Sequence, residues 1–428
     1  MRTSRRLTDE RWLITLVIVA CIACSGGERT VVEPPPPTTA LLTLTIHPDP
    51  EDVQVAQQLG WANGIPGAEV KVTPTDSNLG VAQSFTSNSV GVVSIPDAKA
   101  GAYLVEAQRL FTAADAAKLG QTPSATGFVG RAAITSPGGT VAFSVPVPAS
   151  KRRSLILNEI SWRSGSPGPG ACCFRDNFFL EIYNNSDTTI YLDGITVGES
   201  YNLFYEYPVI PCSASYPFLA DPLGVWSLWH YMFPGNGRDN PLKPGGLVTI
   251  AEDAIDHREL WPTVEGLPDL RAADFEFIGS ADVYNPTVPN MVDRSYEAFW
   301  GHGLLPIASG GTIFLALPIS LDSLPRMRDP RNERRYWRFP AASILDFFTM
   351  VFDGPDPSAL GYKFCSPLAA PNFDREPGAF LHNDDLTDFR FSASRKRIGT
   401  TADGRAILQH THSSAADFTK GLISPGKM

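Results

Sequence analysis

The feature that most limits this chain is a period of two. Leu42-Thr43-Leu44-Thr45-Ile46 alternates apolar and polar side chains. Successive residues of an extended strand face opposite sides, so such a run buries one face and wets the other. Further short runs follow at Gly67-Ala68-Glu69-Val70-Lys71-Val72, Gln83-Ser84-Phe85-Thr86, Gly91-Val92-Val93-Ser94-Ile95, Gly101-Ala102-Tyr103-Leu104-Val105 and Val141 to Val147. Gly, Pro and Asn punctuate them, and these residues supply turn geometry rather than helix interior. With 37 Pro, 36 Gly and 10% aromatics, the pattern predicts an all-β chain of two β-sandwich domains. One Ala-rich exception, Leu110 to Leu119, predicts a short helix in a loop.

The N-terminus carries a different signal. Arg2, Arg5, Arg6 and Arg11 flank the apolar run Trp12 to Ala23. That run is too short for a ~30 Å bilayer core, which takes roughly 20 helical residues. A charged start, a short apolar run and small residues at its end describe a signal peptide over residues 1–24. Ser4-Arg5-Arg6 hints at twin-arginine export, but Asp9 and Glu10 follow where that route prefers apolar residues, which favours the general secretory route. Both Ile18-Val19-Ala20-Cys21 and Cys21-Ile22-Ala23-Cys24 resemble a bacterial lipobox, whose Cys becomes the thioether carrying diacylglycerol. Each buried acyl CH₂ is worth about 0.8 kcal/mol, so several chains make a stable anchor. Residues 25–40 include Pro34 to Pro37, a semi-rigid polyproline spacer that holds a body off a membrane.

Cysteine usage fits an oxidising compartment. Acylation of Cys24 removes Cys21 with the leader and leaves an even four, Cys172, Cys173, Cys212 and Cys365; acylation of Cys21 leaves an odd thiol. Parity therefore leans to Cys24. A bond between the adjacent Cys172 and Cys173 strains the intervening peptide, so each is expected to reach one of Cys212 and Cys365. A net charge of −10 argues against nucleic-acid partners, which need a basic face.

The run of strands over residues 41–150 resembles prealbumin-like modules of the carboxypeptidase regulatory type, which implies a small sandwich without chemistry of its own. Lys151-Arg152-Arg153 marks the join. Beyond it, Leu155-Ile156-Leu157-Asn158-Glu159-Ile160, Phe178 to Ser186 and Thr189-Ile190-Tyr191-Leu192-Asp193-Gly194 follow in the order of a lamin-tail domain, an immunoglobulin-like sandwich. Further matches run through Phe233-Pro234-Gly235-Asn236-Gly237, Pro241 to Ala251, Asp269 to Glu276 and Phe339 to Asp346. Over residues 154–428 the chain thus resembles an uncharacterised family of bacterial surface lipoproteins whose lamin-tail-like domain carries long insertions. The resemblance implies a location and an architecture, and an association with outer-membrane nutrient uptake, but no reaction.

Candidate chemistry is sparse. Neither a Gly-x-Ser-x-Gly elbow nor a phosphate loop occurs. His410-x-His412 can share one face of a strand, but lacks a third metal ligand. Asp384 and Asp385 with His382, and Asp256 with His257, fit polar loops as well as hydrolytic sites. The densest unusual stretch is Arg326 to Arg338, in which Arg334, Arg335, Tyr336, Trp337 and Arg338 combine guanidinium forks with stacking rings. Such a set suits acidic glycans or phosphate groups, although Asp329 and Glu333 partly neutralise it. Trp226, Trp229, Tyr231 and Phe233 can line a sugar-binding face or fill a sandwich core. The sequence therefore predicts a non-enzymatic, lipid-anchored protein of the cell envelope, with the outer membrane as its expected site. It has a binding or scaffolding role, no metal or cofactor, and an outer-membrane protein or a glycan as partner. The alternatives are a glycan-binding component of an uptake complex and an accessory domain of a secreted hydrolase.

Overall fold

The computed structural model describes residues 41–120, 125–151, 155–161, 177–200, 217–260, 262–263, 265–277, 285–295, 311–330, 333–352, 373–381 and 390–428. The chain is all-β: of the described residues, 48% are strand and 11% helix. Cys21, Cys24, Cys172, Cys173, Cys212, Cys365, His382, Asp384 and Asp385 lie outside the described residues.

The alternating runs form strands at the places the period predicts. They are β1 (Leu41–Pro48), β2 (Glu69–Pro74), β3 (Gln83–Thr86), β4 (Val92–Pro96), β5 (Gly101–Leu110) and β7 (Val141–Val147), and two strands that were not foreseen, β6 (Ala125–Ser136) and β8 (Ala149–Lys151), complete this part. In β1 the even residues Leu42, Leu44 and Ile46 are fully buried while their odd neighbours are not. One sheet has the order β4-β1-β7 and the other β3-β2-β5-β6-β8. Their apolar faces meet in a core of Leu44, Val70, Val105, Phe128 and Val145 among others.

Pairing of β1 with β7 is parallel, from Leu42 against Val141 to Pro48 against Val147, which local alternation cannot specify. Helix α1 (Val53–Leu59) was not foreseen, and it ends at Gly60 with φ +81°. Helix α2 (Ala113–Leu119) is the predicted short helix. Thr112 accepts from the Asp115 amide while the Asp115 carboxylate accepts from Thr112, a reciprocal capping box. At the β-turn before β4, Gly91 has φ +80°, and a side chain there would strike the Ile46 carbonyl at 2.6 Å.

Residues 155–428 build two larger sheets. The first runs Phe275–Glu276, Leu247–Ala251, β10 (Phe179–Asn184), β9 (Leu155–Ser161), Phe391–Arg395, Phe418–Leu422. The second runs Arg326–Arg328, Arg335–Pro340, Gly224–Met232, Thr196–Ser200, Gly311–Ala316, Ile344–Phe352, Gly378–Leu381. Between them lies the largest core, with Leu157, Ile182, Ile250, Leu315 and Phe348. Smaller apolar clusters cover the outer faces. Phe179 packs with Leu270 and Val288, Ile156 with Tyr183 and Leu408, and Phe314 with Phe339 and Trp337. Every residue of β9 and β10 is therefore buried, and an apolar run without alternation is what a strand covered on both faces needs. Residues 40–428 form one compact unit.

The four aromatics at 226, 229, 231 and 233 all enter that central core. A strict strand would send 226 and 229 to opposite faces. The pairing with Thr196–Ser200 shifts register between the His230 and Ser227 partners, and the bulge changes the parity of the faces.

Candidate functional site

A cleft of about 600 Å³ lies on the outer face of the β3-β2-β5-β6 sheet. That size is within the usual range of ligand sites, roughly 300–1,000 Å³. Strand register places its groups. Lys71 stands opposite Ser84 on one side and Glu106 on the other, and Glu106 opposite Arg131. The adjacent row is Thr86, Glu69, Gln108 and Val129. These are the outward positions of strands whose alternate residues, Val70, Val105 and Ala107, are buried in the first core.

The facing wall comes from the far end of the sequence. Lys396, Gln409 and Ala416 close the cleft. Gln409 is held in place because its Nε2 donates to the Ala416 carbonyl at 3.0 Å and its backbone amide to the Lys396 carbonyl at 2.9 Å. The two walls are clamped beside the opening. Arg131 grips Glu376 through Nε and Nη2 at 3.0 and 2.7 Å. Arg375 reaches Asp49 at 2.8 Å and Glu51 at 2.5 Å, and the His410 amide donates to Ser150 Oγ at 3.2 Å.

Inside the cleft the charges stand apart. Lys71 Nζ is 3.8 Å from Glu106 Oε2, and Lys396 Nζ is 3.9 Å from Glu106 Oε1. Both exceed the about 2.7–3.2 Å of an N–H···O hydrogen bond. Burial lowers the Lys396 ammonium from its ordinary value; Glu106 opposes that shift and Arg131 adds to it.

A set of perturbed groups lies in the interior of residues 155–428. Arg395 bridges the two sheets. Its guanidinium contacts Asp346 at 2.5 Å and Asp417 at 3.4 Å, and donates to the carbonyls of Leu157 and Gln409. Asp346 also accepts from the Leu157 amide at 2.7 Å and meets His410 Nε2 at 3.1 Å. Burial alone would raise the Asp346 carboxyl, but Arg395 and His410 hold it well below the carboxylate range.

Glu159 and Glu181 receive the C-terminal segment. Glu159 accepts from the Ser424 amide and hydroxyl at 2.8 and 2.7 Å, and Glu181 from the Gly426 amide at 2.6 Å. Burial pushes the Glu181 carboxyl up to about 7, against the Gly426 bond and with help from the Glu159 charge. Asp374, bonded to Ser414 and to the Thr349 amide, is likewise raised by burial to about 7. His230 packs against Trp337 and Phe339, and burial followed by the Arg294 charge lowers it to about 3.

The positions singled out from sequence distribute as follows. His410 and His412 do not sit on a strand. His412 has φ +59°, its ring lies 4.5 Å from that of His410, and His410 is bound to Asp346. A shared strand face for the pair is therefore corrected to a turn, because the buried Asp346 fixes the first ring. Asp256 is engaged by Arg258 at 2.7 Å and Arg271 at 3.2 Å. Among the described residues no group of three His, Cys, Asp or Glu is placed to hold a metal ion.

The Arg-rich stretch contributes a pair of antiparallel strands, Arg326–Arg328 against Arg335–Pro340. Tyr336 and Trp337 are buried in apolar clusters. Arg326 pairs with Asp322, Arg328 with Glu333 and Arg338 with Asp221. Arg334 lies 6.0 Å from the Trp229 ring and Arg338 5.6 Å from that of Trp226. Sequence reasoning missed the cleft. The period of two marks Glu69 and Lys71 as outward, but only the three-dimensional fold brings Lys396 and Gln409 over them.

A crystal structure of a DUF4876 family protein from Bacteroides thetaiotaomicron is similar over 91% of this chain and 96% of that chain, at 20% identity and a TM-score of 0.50. The likeness is one of fold. A DUF3823 family protein from Bacteroides uniformis aligns over 74% of this chain and 100% of that one, at 11% identity and a TM-score of 0.17. No family model and no curated protein matches the sequence.

Proposed function

We propose that this chain is a non-catalytic binding or scaffolding lipoprotein of the bacterial cell envelope, tethered through Cys24 or Cys21, and that it binds through its polar cleft. The observation that carries the binding role is the cleft itself, an accessible, clamped opening lined by donors and acceptors. The tether rests on the lipobox-like runs and the proline spacer, and among the described residues no helix is long and apolar enough to cross a membrane.

The lamin-tail-like reading of residues 154–428 and the prealbumin-like reading of residues 41–150 belong to the same proposal. The arrangement of two packed sheets in each part supports both. An uptake complex of the outer membrane is the proposed setting, and Arg334, Arg335 and Arg338 are its proposed second contact, for an anionic partner. The anchor is tested by labelling cells with radioactive palmitate and fractionating them. The parent protein should carry label and sediment with membranes, and the Cys21→Ser, Cys24→Ser double variant should do neither. Label on the double variant contradicts the anchor.

A further inference from the structure

We infer that the cleft binds an uncharged, hydroxyl-rich ligand, a neutral oligosaccharide segment, which bridges Lys71 and Lys396 to Glu106; this deepens the binding role proposed above and rests on it. The geometry selects the chemistry. Glu106 faces two ammonium groups at 3.8 and 3.9 Å, too far for direct hydrogen bonds and near enough for one inserted atom to serve both partners. A hydroxyl oxygen accepts from an ammonium and donates to a carboxylate at once. An anion satisfies only the lysines, and a cation only the glutamate. Gln108, one row away, again offers both a donor and an acceptor.

Charge balance points the same way. Lys71, Lys396 and Arg131 are matched by Glu69, Glu106 and the Glu376 that Arg131 grips, so the opening presents no net charge to steer an ion. The lining is mixed: Lys71, Glu106, Gln108 and Gln409 stand beside apolar Val129 and Ala416, so a ligand there meets both kinds of surface, as a sugar with its hydroxyls and C–H faces requires.

The test uses the full-length protein in detergent micelles on a printed array of neutral, uronate-bearing and sulfated oligosaccharides, followed by calorimetry with the strongest neutral hit. Neutral saccharides should be bound. Lys71→Met and Glu106→Ala should each weaken binding about tenfold or more, and raising salt from about 50 to 500 mM should leave affinity within about twofold, since only charged contacts are screened. Lys71 is over half exposed, so its variant keeps the test valid if Glu106→Ala fails to fold. Binding confined to acidic saccharides, with affinity falling in salt, overturns the inference. Neutral binding that survives both variants overturns the placement in the cleft and leaves the binding role standing. An array with no bound saccharide overturns the ligand class, while palmitate labelling still decides the anchor.

Discussion

Residues 41–151 and 155–428 are both packed sheets, yet they are held together by different physics. The first has an apolar core. Its buried acids bond within the same half: Asp52 accepts from the Ala149 amide at 2.9 Å, and Asp115 caps α2 and pairs with Arg109 at 3.0 Å. The second buries Glu159, Glu181, Asp346, Asp374, Arg395 and Asp417 among its sheets. Arg395 and Asp346 tie one sheet to the other through the Leu157 backbone. A buried charge with its partners costs little; the same charge without them costs a great deal. The first half should therefore respond to lost volume, and the second to lost pairing and to pH.

The sharpest way to break this contrast is Arg395→Met. It leaves Asp346 and Asp417 buried without their cation and also removes the guanidinium 4.3 Å from the Phe418 ring. Stability in urea should fall by roughly 3–5 kcal/mol. A loss under 1 kcal/mol would mean that the ion pairs do not hold the sheets.

Leu44→Ala is the counterpart in the apolar half. Leu44 is fully buried, so the expected loss is roughly 2–5 kcal/mol, and it should be the same at pH 5 and pH 8 because no ionisable group is disturbed. A loss that changes with pH across that range would erase the distinction between the halves.

Glu181→Gln sharpens the comparison by a smaller amount. The folded carboxyl titrates near 7 against an ordinary value of 4.5. Its proton therefore stabilises the fold fully below about 4.5, and that contribution is lost as pH rises through 7. Gln cannot ionise and escapes the loss. Relative to the parent, the variant should gain stability from pH 5 to pH 8 by on the order of 2 kcal/mol. A constant difference over that range would show that Glu181 is ionised throughout.

The same contrast explains what the residues revealed beforehand. Alternation exposed β1 to β5 and β7 because a half-buried strand writes its environment into every second residue. In β9 and β10 both faces are covered, so Leu155 to Ser161 shows that a strand is present but not which face meets which layer. Glu159 and Glu181 look like surface residues in such a run. Their burial follows from Ser392, Ser424 and Gly426, more than 200 positions away. The cleft hid for the same reason. Lys71 and Glu106 occupy ordinary outward positions, and the wall that makes them a site is supplied by Lys396 and Gln409, whose place depends on Arg395 and Asp417 behind them. The Arg-rich stretch, conspicuous as a string of letters, spends its rings in the core and several of its guanidinium groups on local carboxylates.

The claim that this cleft is the binding site is tested most directly by footprinting amines with an acetylating reagent, with and without the best-bound neutral oligosaccharide, and reading each lysine by mass spectrometry. Saturating ligand should slow modification of Lys71 and Lys396 several-fold and leave Lys118 and Lys420 unchanged. Equal rates at Lys71 and Lys396 in the free and saturated protein would contradict it.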